Sequence, residues 1–200
     1  MVIKQARPEH PIHELMSARW SPYGFADRPV AESDLAAIFE AARWTASSYN
    51  EQPWRYLVAR KSDPDAYGAL LSCLVEANQP WARNAPVLAL GLVSTRFDRN
   101  GKPNRAAIHD LGAASAQLTL EATRRGLSVH QMIGIDPERA QTLYQLPDGI
   151  AAITGLAIGF AASPDTLPEA YRDRDTTPRS RRALTEWVFE GAWGRAASWT

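Results

Sequence analysis

Ala46-Ser47-Ser48-Tyr49-Asn50-Glu51-Gln52-Pro53-Trp54 is the stretch on which the reading of this chain turns. It is a polar loop between two patterned segments. Before it, Leu35, Ile38, Phe39, Ala42 and Trp44 recur every three to four residues, the spacing of a helix that Ser33 and Asp34 can cap. After it, Trp54 to Ala59 has strand character, and Ser62 to Asp65 turns into a helical stretch from Ala66 to Asn78. Loops held between rigid elements are where ligand contacts concentrate. Serine hydroxyls, backbone amides and the Asn50 amide offer alternating donors and acceptors, suited to the edge of a flat ligand. Taken alone, the same residues also make a polar helix-capping turn.

Outward from this loop the patterns continue. From Pro11 to Trp20 the apolar residues Ile12, Leu15, Met16 and Ala18 predict a helix that stops at Ser21 and Pro22. Pro86 to Val93 is an almost unbroken apolar run, as for a strand covered on both faces, followed by a charged loop from Arg96 to Arg105. Ala106 to Arg125 is the longest predicted helix. Its Gly112, Ala113, Ala114 and Ala116 let another backbone approach, within the subunit or between subunits. Gly126 ends it, Leu127 to Ile133 is strand-like, Asp136 and Pro137 open a short helix to Leu143, and Ala151 to Phe160 supplies another central strand. Ser163 to Arg182 is rich in proline and charge, and an aromatic tail of Leu184, Trp187, Val188, Phe189 and Trp193 follows. The preceding roughly 20 residues, at about 3.3 Å each when extended, are long enough to cross a neighbouring subunit.

Composition narrows the function classes. The 200 residues are 45% hydrophobic and 22% charged, enough for one sizeable core, and 22 basic residues balance 22 acidic ones. No global field attracts nucleic acid or an anionic membrane surface. One cysteine, Cys73, excludes an internal disulfide and fits a reducing compartment. The N-terminus lacks a signal-peptide pattern, and the longest uncharged stretch, Gly149 to Ala162, falls short of the roughly 20 residues that span a bilayer. The expectation is a single cytoplasmic domain over residues 1–200, with no nucleic-acid or membrane partner.

Several further residues carry chemistry. Arg19 with Ser21, and Arg179, Arg181 and Arg182 near the C-terminus, are the residue types that recognise phosphate, because guanidinium forks make strong charge-assisted bonds. Singly, each is equally a solvated surface charge. Met132-Ile133-Gly134 ends a strand with a glycine that lets backbone amides approach a ligand. Neither GxGxxG nor a Walker loop occurs, so side chains must hold any nucleotide-like phosphate. His10, His13, His109 and His130 lack metal-ligand spacing, so no metal is expected.

In order, Arg19-Trp20-Ser21, the Ser-Ser-x-Asn-x-Gln-Pro-Trp loop, Trp81 to Pro86, Asp110-Leu111-Gly112-Ala113 and Arg179-Ser180-Arg181 resemble the nitroreductase family of flavoproteins, over roughly Ile12 to Gly194. The resemblance implies an α+β, three-layer α/β/α fold with a mostly antiparallel central sheet, and a C-terminal arm (about 163–200) extending onto the partner of a homodimer. It implies FMN as cofactor and NAD(P)H as co-substrate, with hydride passing through the flavin N5 to a small organic acceptor such as a nitroaromatic, quinone or enone. No side chain is then catalytic, since the cofactor carries the chemistry. Arg19 and Ser21, flanking Trp20, would hold the phosphate and ribityl end, and Arg179 and Arg181 would close on the phosphate. Ser47, Ser48 and Asn50 would reach the ring from the other subunit, Met132, Ile133 and Gly134 would face N5, and Asn78 would contact the ribityl or pyrimidine part.

One position departs from the family pattern. Tyr23 stands where many relatives carry Arg or Lys near the flavin N1 and O2, which implies a site without that cation and a lower flavin potential. His130 lies beside the expected flavin loop. Two other readings stay open on the sequence: a flavin-sensing, flavin-storing, flavin-fragmenting or dehalogenating relative without nicotinamide turnover, and a structural interaction module.

Overall fold

The computed structural model describes residues 4–200. Four strands, β1 (Trp54–Arg60), β2 (Val87–Ser94), β3 (Ser128–Met132) and β4 (Ile150–Gly159), form one sheet in the order β1-β2-β4-β3, with every pairing antiparallel. Helices α1 (Glu14–Ala18), α2 (Glu32–Arg43), α3 (Pro64–Leu71), α4 (Gln79–Ala82), α5 (Ala107–Arg124), α6 (Pro137–Leu143) and α7 (Glu169–Thr176) surround it. No helix among the described residues is long and apolar enough to cross a membrane. None of their His, Cys, Asp and Glu side chains group in a way that could hold a metal ion.

The unbroken apolar run of β2 follows from its central place. Alternate side chains of a strand point to opposite faces. Leu88, Leu90 and Leu92 pack with Tyr67, Leu70 and Trp81 of α3 and α4, while Val87, Ala89 and Val93 pack with Ile38 and Ala42 of α2 and Leu111, Ala114 and Leu118 of α5. The sheet therefore separates two cores, giving an α/β/α sandwich. The β2–β4 register shifts between Gly91 and Leu92, and Ile153 is the extra residue on β4. This bulge rephases β4, so Ala152 faces the α3–α4 core while Leu156 and Ile158 face α5.

Several expected boundaries move, each for a nearby physical cause. The first helix shortens to Glu14–Ala18, with the His13 Nδ1 accepting the Leu15 N–H, and Arg19 onward is extended. Ser33 and Asp34 do not cap α2: they lie in its first turn, its N-cap is Ala31, and Asp34 pairs instead with Arg125 at 2.9 Å. The helix expected from Ala66 to Asn78 ends at Leu71. Beyond it, Cys73 O accepts the Asp136 N–H, Val75 N donates to Gly134 O, and Leu74 bridges Ile135. These tertiary bonds replace continued helix and tie the chain to the end of β3. Asp136 does cap α6, accepting the Arg139 N–H at 2.9 Å. Cys73 is fully buried, and burial pushes its thiol up, so it behaves as a packed apolar group.

Candidate functional site

Three guanidiniums converge where α1 meets the C-terminal segment. Arg19 Nη1 donates to Ser21 Oγ at 3.1 Å, and Arg179 Nη1 donates to the carbonyls of Ser17 at 2.8 Å and Lys4 at 3.2 Å. Burial, and then the charges of Arg179 and Arg181, push the Arg19 guanidinium below its usual value. Among the described residues no carboxylate forms an ion pair with any of the three. Arg19 and Arg179 are half-buried, and like charges so placed without a counter-ion are costly unless an anion binds between them. A cavity of about 370 Å³ opens here, lined by Met16, Arg19, Ser21, Val129, Gln131 and α5 residues Ala116, Thr119 and Leu120. A second, of about 510 Å³, lies on the Arg179–Arg182 side and shares Met16. Trp20 lines neither; it borders a third cavity with Arg28 and Phe160, and Lys4 Nζ sits 5.6 Å above its ring.

Gln131 was not singled out by the sequence. Its Nε2 donates to Ser115 O at 3.1 Å and Thr119 Oγ1 at 2.9 Å, anchoring β3 to α5 at the cavity wall. Alternation in an edge strand puts Val129 and Gln131 on the α5 side, and His130 and Met132 on the other.

The Ser47–Asn50 loop sits at the N-terminal end of α5. Ser48 N donates to the buried carboxylate of Asp110 at 3.1 Å, and Ser47 Oγ accepts the Gln52 N–H at 2.9 Å. Tyr49, Asn50 and Gln52 all have positive φ, at 56°, 56° and 50°. For residues with a Cβ this left-handed conformation costs on the order of 1–3 kcal/mol each, and the bonds from Asp110 and Ser47 hold it in place. Ala116 and Thr119 lie six and nine positions beyond Asp110, so about 9–14 Å of helix separates this loop from the Arg19 cavity. Within one chain the structure does not bring the two together.

On the other face of the sheet, Met132 is buried, Ile133 is 80% exposed, and the Gly134 carbonyl accepts from Asn78 Nδ2 at 3.0 Å and Val75 N at 3.2 Å. A Cβ on Gly134 would meet Asn78 Nδ2 at 2.5 Å, so only glycine permits this approach. Asn78 Oδ1 also accepts the Trp81 Nε1–H at 3.3 Å. Both ends of the amide are thus engaged internally, and Asn78 acts as a clamp on the Gly134 turn.

Tyr23 is the main difference from expectation. Its ring packs on the α4 side of the sheet, edge-on to Trp81 at 5.2 Å and His130 at 4.8 Å and stacked on Tyr171 at 6.0 Å. It does not line the Arg19 cavity. Nor do its surroundings lack a cation: Arg174 of α7 donates to the Tyr23 hydroxyl at 2.9 Å, with its Cζ 4.8 Å from the ring centroid. Arg174, 151 positions away, thus places a positive charge against the residue that stands where many relatives carry a cation. Asp175, 4% exposed, accepts the backbone N–H groups of Tyr23 and Gly24. His130 Nδ1 lies 2.8 Å from Pro22 O, a contact that makes Nδ1 the donor, and burial lowers the imidazole below its ordinary value of 6.5. Asp110, Asp175 and Gln131 carry no local signal as anchors, since each bonds a backbone or helix distant in sequence.

The chain's similarities fit this layout. The nitroreductase family profile matches residues 16–160. A solved oxidoreductase containing FMN is 33% identical and superposes with a TM-score of 0.88 over 95% of this chain and 96% of that chain. An uncharacterized 15.4 kDa protein of Mycolicibacterium smegmatis is 36% identical over 146 residues, 70% of this chain and 97% of that protein. A Thermus thermophilus NADH dehydrogenase is 29% identical over 167 residues, 67% of this chain and 78% of that protein. With most of its length matched in sequence and the same sandwich in three dimensions, the chain belongs to the nitroreductase family.

Proposed function

We propose that the chain is an NAD(P)H-dependent flavin oxidoreductase that holds FMN and reduces a small organic acceptor. One observation carries this reading: Arg19, bonded to Ser21, lies close enough to Arg179 and Arg181 to feel their charges, and among the described residues no carboxylate forms an ion pair with any of the three. The residues fit the cofactor's phosphate, because guanidinium forks and a hydroxyl are the donors that a phosphate dianion accepts. The Gly134 turn suits the ring side as a rigid edge: Asn78 fills the space a Cβ would take and clamps the turn, and Ile133 beside it stays exposed to a flat ligand. Bound there, FMN would supply the hydride-transfer chemistry, which no side chain of the site provides. The protein's part is to fix the phosphate, hold the Gly134 turn through Asn78 and shield the ring from water. The FMN-containing relative and the NADH dehydrogenase of Thermus thermophilus favour this cofactor and this electron donor.

The reading extends to a homodimer over a single domain spanning residues 1–200, in which Ser47, Ser48 and Asn50 reach the partner's flavin. Three features support it. The loop lies about 9–14 Å along α5 from the wall of the same chain's Arg19 cavity. Ile108, 61% exposed, shares an outward face with exposed Gly112 and Ala116, and a Cβ on Gly112 would touch nothing. Trp187 and Trp193 of the tail are 59% and 93% exposed, an apolar surface that a partner would bury. A cytoplasmic location accords with the single thiol.

Anaerobic titration of the FMN-reconstituted protein with NADH and NADPH tests the reading. Bleaching of the bound flavin by either nicotinamide is expected, with one FMN per chain in a sedimenting dimer. A bound flavin that stays oxidised would favour flavin storage without nicotinamide turnover, and failure to take up FMN would sink the proposal.

A further inference from the structure

The Ser47–Asn50 loop does not stand alone. The turn that follows β2 closes on itself: Phe97 N donates to Lys102 O at 2.9 Å, Gly101 N to Phe97 O at 2.8 Å, and Arg96 Nη1 to Gly101 O at 3.1 Å. Its tip is tied to the loop by the Asp98 N–H, which donates to the Glu51 carboxylate. Above that tie three side chains stack. Arg99 Cζ lies 4.0 Å from the Tyr49 ring centroid and 5.2 Å from that of Phe97, and the two rings meet edge to face at 5.9 Å.

Two facts about this stack point outward from the fold. Tyr49 occupies a left-handed conformation, which is strained for a bulky residue, yet it remains 73% exposed and returns little burial for that strain. Arg99 is exposed, and among the described residues its guanidinium makes no ion pair or hydrogen bond, although Glu51 and Asp98 lie on the same two loops. Stacking on an aromatic face fixes a guanidinium plane while leaving its edge donors free. Arg55, whose Nη1 donates to the Gln52 and Trp54 carbonyls, adds a second positive charge at the base of the loop.

We propose that Tyr49, Phe97 and Arg99 form the acceptor-recognition wall, and that it selects planar aromatic acceptors carrying an anionic group, of which nitrobenzoates are the simplest. The proposal rests on the reading that the Ser47–Asn50 loop meets the flavin ring. The acceptor's ring lies against Tyr49, and its carboxylate pairs with the preplaced fork of Arg99. An immobilised donor loses less freedom on binding than a free arginine, so the pair discriminates charge even near the surface.

The probes are 4-nitrobenzoate and its neutral near-isostere 4-nitrobenzamide, turned over by the FMN holoenzyme. In the first step one NAD(P)H gives a hydride, solvent gives a proton, and the nitro group becomes nitroso with release of one water. The readout is the kcat/KM ratio of benzoate to benzamide in wild type, Arg99→Ala and Arg99→Glu, so that intrinsic reactivity cancels between proteins. Loss of one charge-assisted pair should lower the ratio about tenfold in Arg99→Ala, and reversal of the charge should lower it further in Arg99→Glu. Both substitutions are on the surface and leave folding intact. Ratios within a factor of two of wild type, in both variants, overturn the wall. Anaerobic bleaching of the flavin by NAD(P)H, measured without any acceptor, separates the failures: bleaching with unchanged ratios removes the wall alone, whereas a flavin that is absent or stays oxidised removes the functional reading and the wall together.

Discussion

The Asp175 carboxylate accepts the Tyr23 backbone N–H at 2.9 Å and that of Gly24 at 3.0 Å, joining α7 to the turn that follows Arg19 and Ser21. A buried carboxylate with two backbone donors is both an anchor and a liability. Removing it orphans two N–H groups, at roughly 1–3 kcal/mol each. Asp175→Ala is therefore expected to lower stability by about 2–4 kcal/mol in urea unfolding. It should also weaken FMN uptake beyond what that loss explains, because the Arg19–Ser21 segment is no longer held. Unchanged FMN affinity in the folded variant would show that the clasp serves stability alone.

Gly134 and Asn78 form a second coupled pair. Gly134→Ala places a methyl against the Asn78 amide, which must withdraw from the Gly134 carbonyl. Overpacking of this kind costs roughly 1–3 kcal/mol. Asn78→Ala removes both the clamp and the obstruction, so the double variant should be less destabilised than the sum of the singles. A double-mutant cycle in chemical unfolding measures this directly, and strict additivity would mean that the two do not interact.

Arg19→Ala and Arg179→Ala should each weaken FMN binding by about 10- to 100-fold, the scale of one charge-assisted contact. Fluorescence titration across salt concentrations gives the affinities. The wild-type affinity should fall more steeply with salt than that of either variant, because fewer ionic contacts remain to screen. Since the arginines repel one another, Arg19→Ala should leave the apo protein no less stable, whereas Arg179→Ala also removes the bonds to the Ser17 and Lys4 carbonyls and should cost about 1 kcal/mol.

His130 provides a pH dependence. Its folded-state value lies below 6.5, because burial disfavours the imidazolium. The unfolded chain therefore binds the proton first as pH falls. Stability is fully present above the unfolded value near 6.5 and is lost as pH drops from there towards the folded value. Thermal unfolding between pH 5 and 8 should show that decline, and His130→Gln should flatten it. A decline of equal slope in the variant would assign the effect to other groups.

Much of the architecture was legible because it is written in local periodicity. The apolar run at β2, the breaks at Gly126 and Asp136-Pro137, and the period of α5 all reflect short-range geometry, so the strands lie within a residue or two of their expected ends. The helix that stopped at Leu71 was not legible: Cys73 and Val75 spend their backbone groups on Asp136 and Gly134, about 60 residues away, and no local pattern announces that exchange. The site divides in the same way. The residue types suited to phosphate, Arg19, Ser21, Arg179 and Arg181, and the polar loop from Ser47 to Asn50 could be named in order along the chain.

What the sequence by itself determined is therefore the set of elements and the kinds of side chain available to a ligand, since propensity and periodicity act within a few residues. Only the tertiary structure decided what those side chains do. It gave Tyr23 a cation from Arg174, turned Asn78 into a clamp, made Asp110 and Asp175 the anchors of two loops, and set Arg99 on Tyr49. Each of these is a contact between residues dozens of positions apart, and such contacts exist only once the two cores on either side of the sheet have packed.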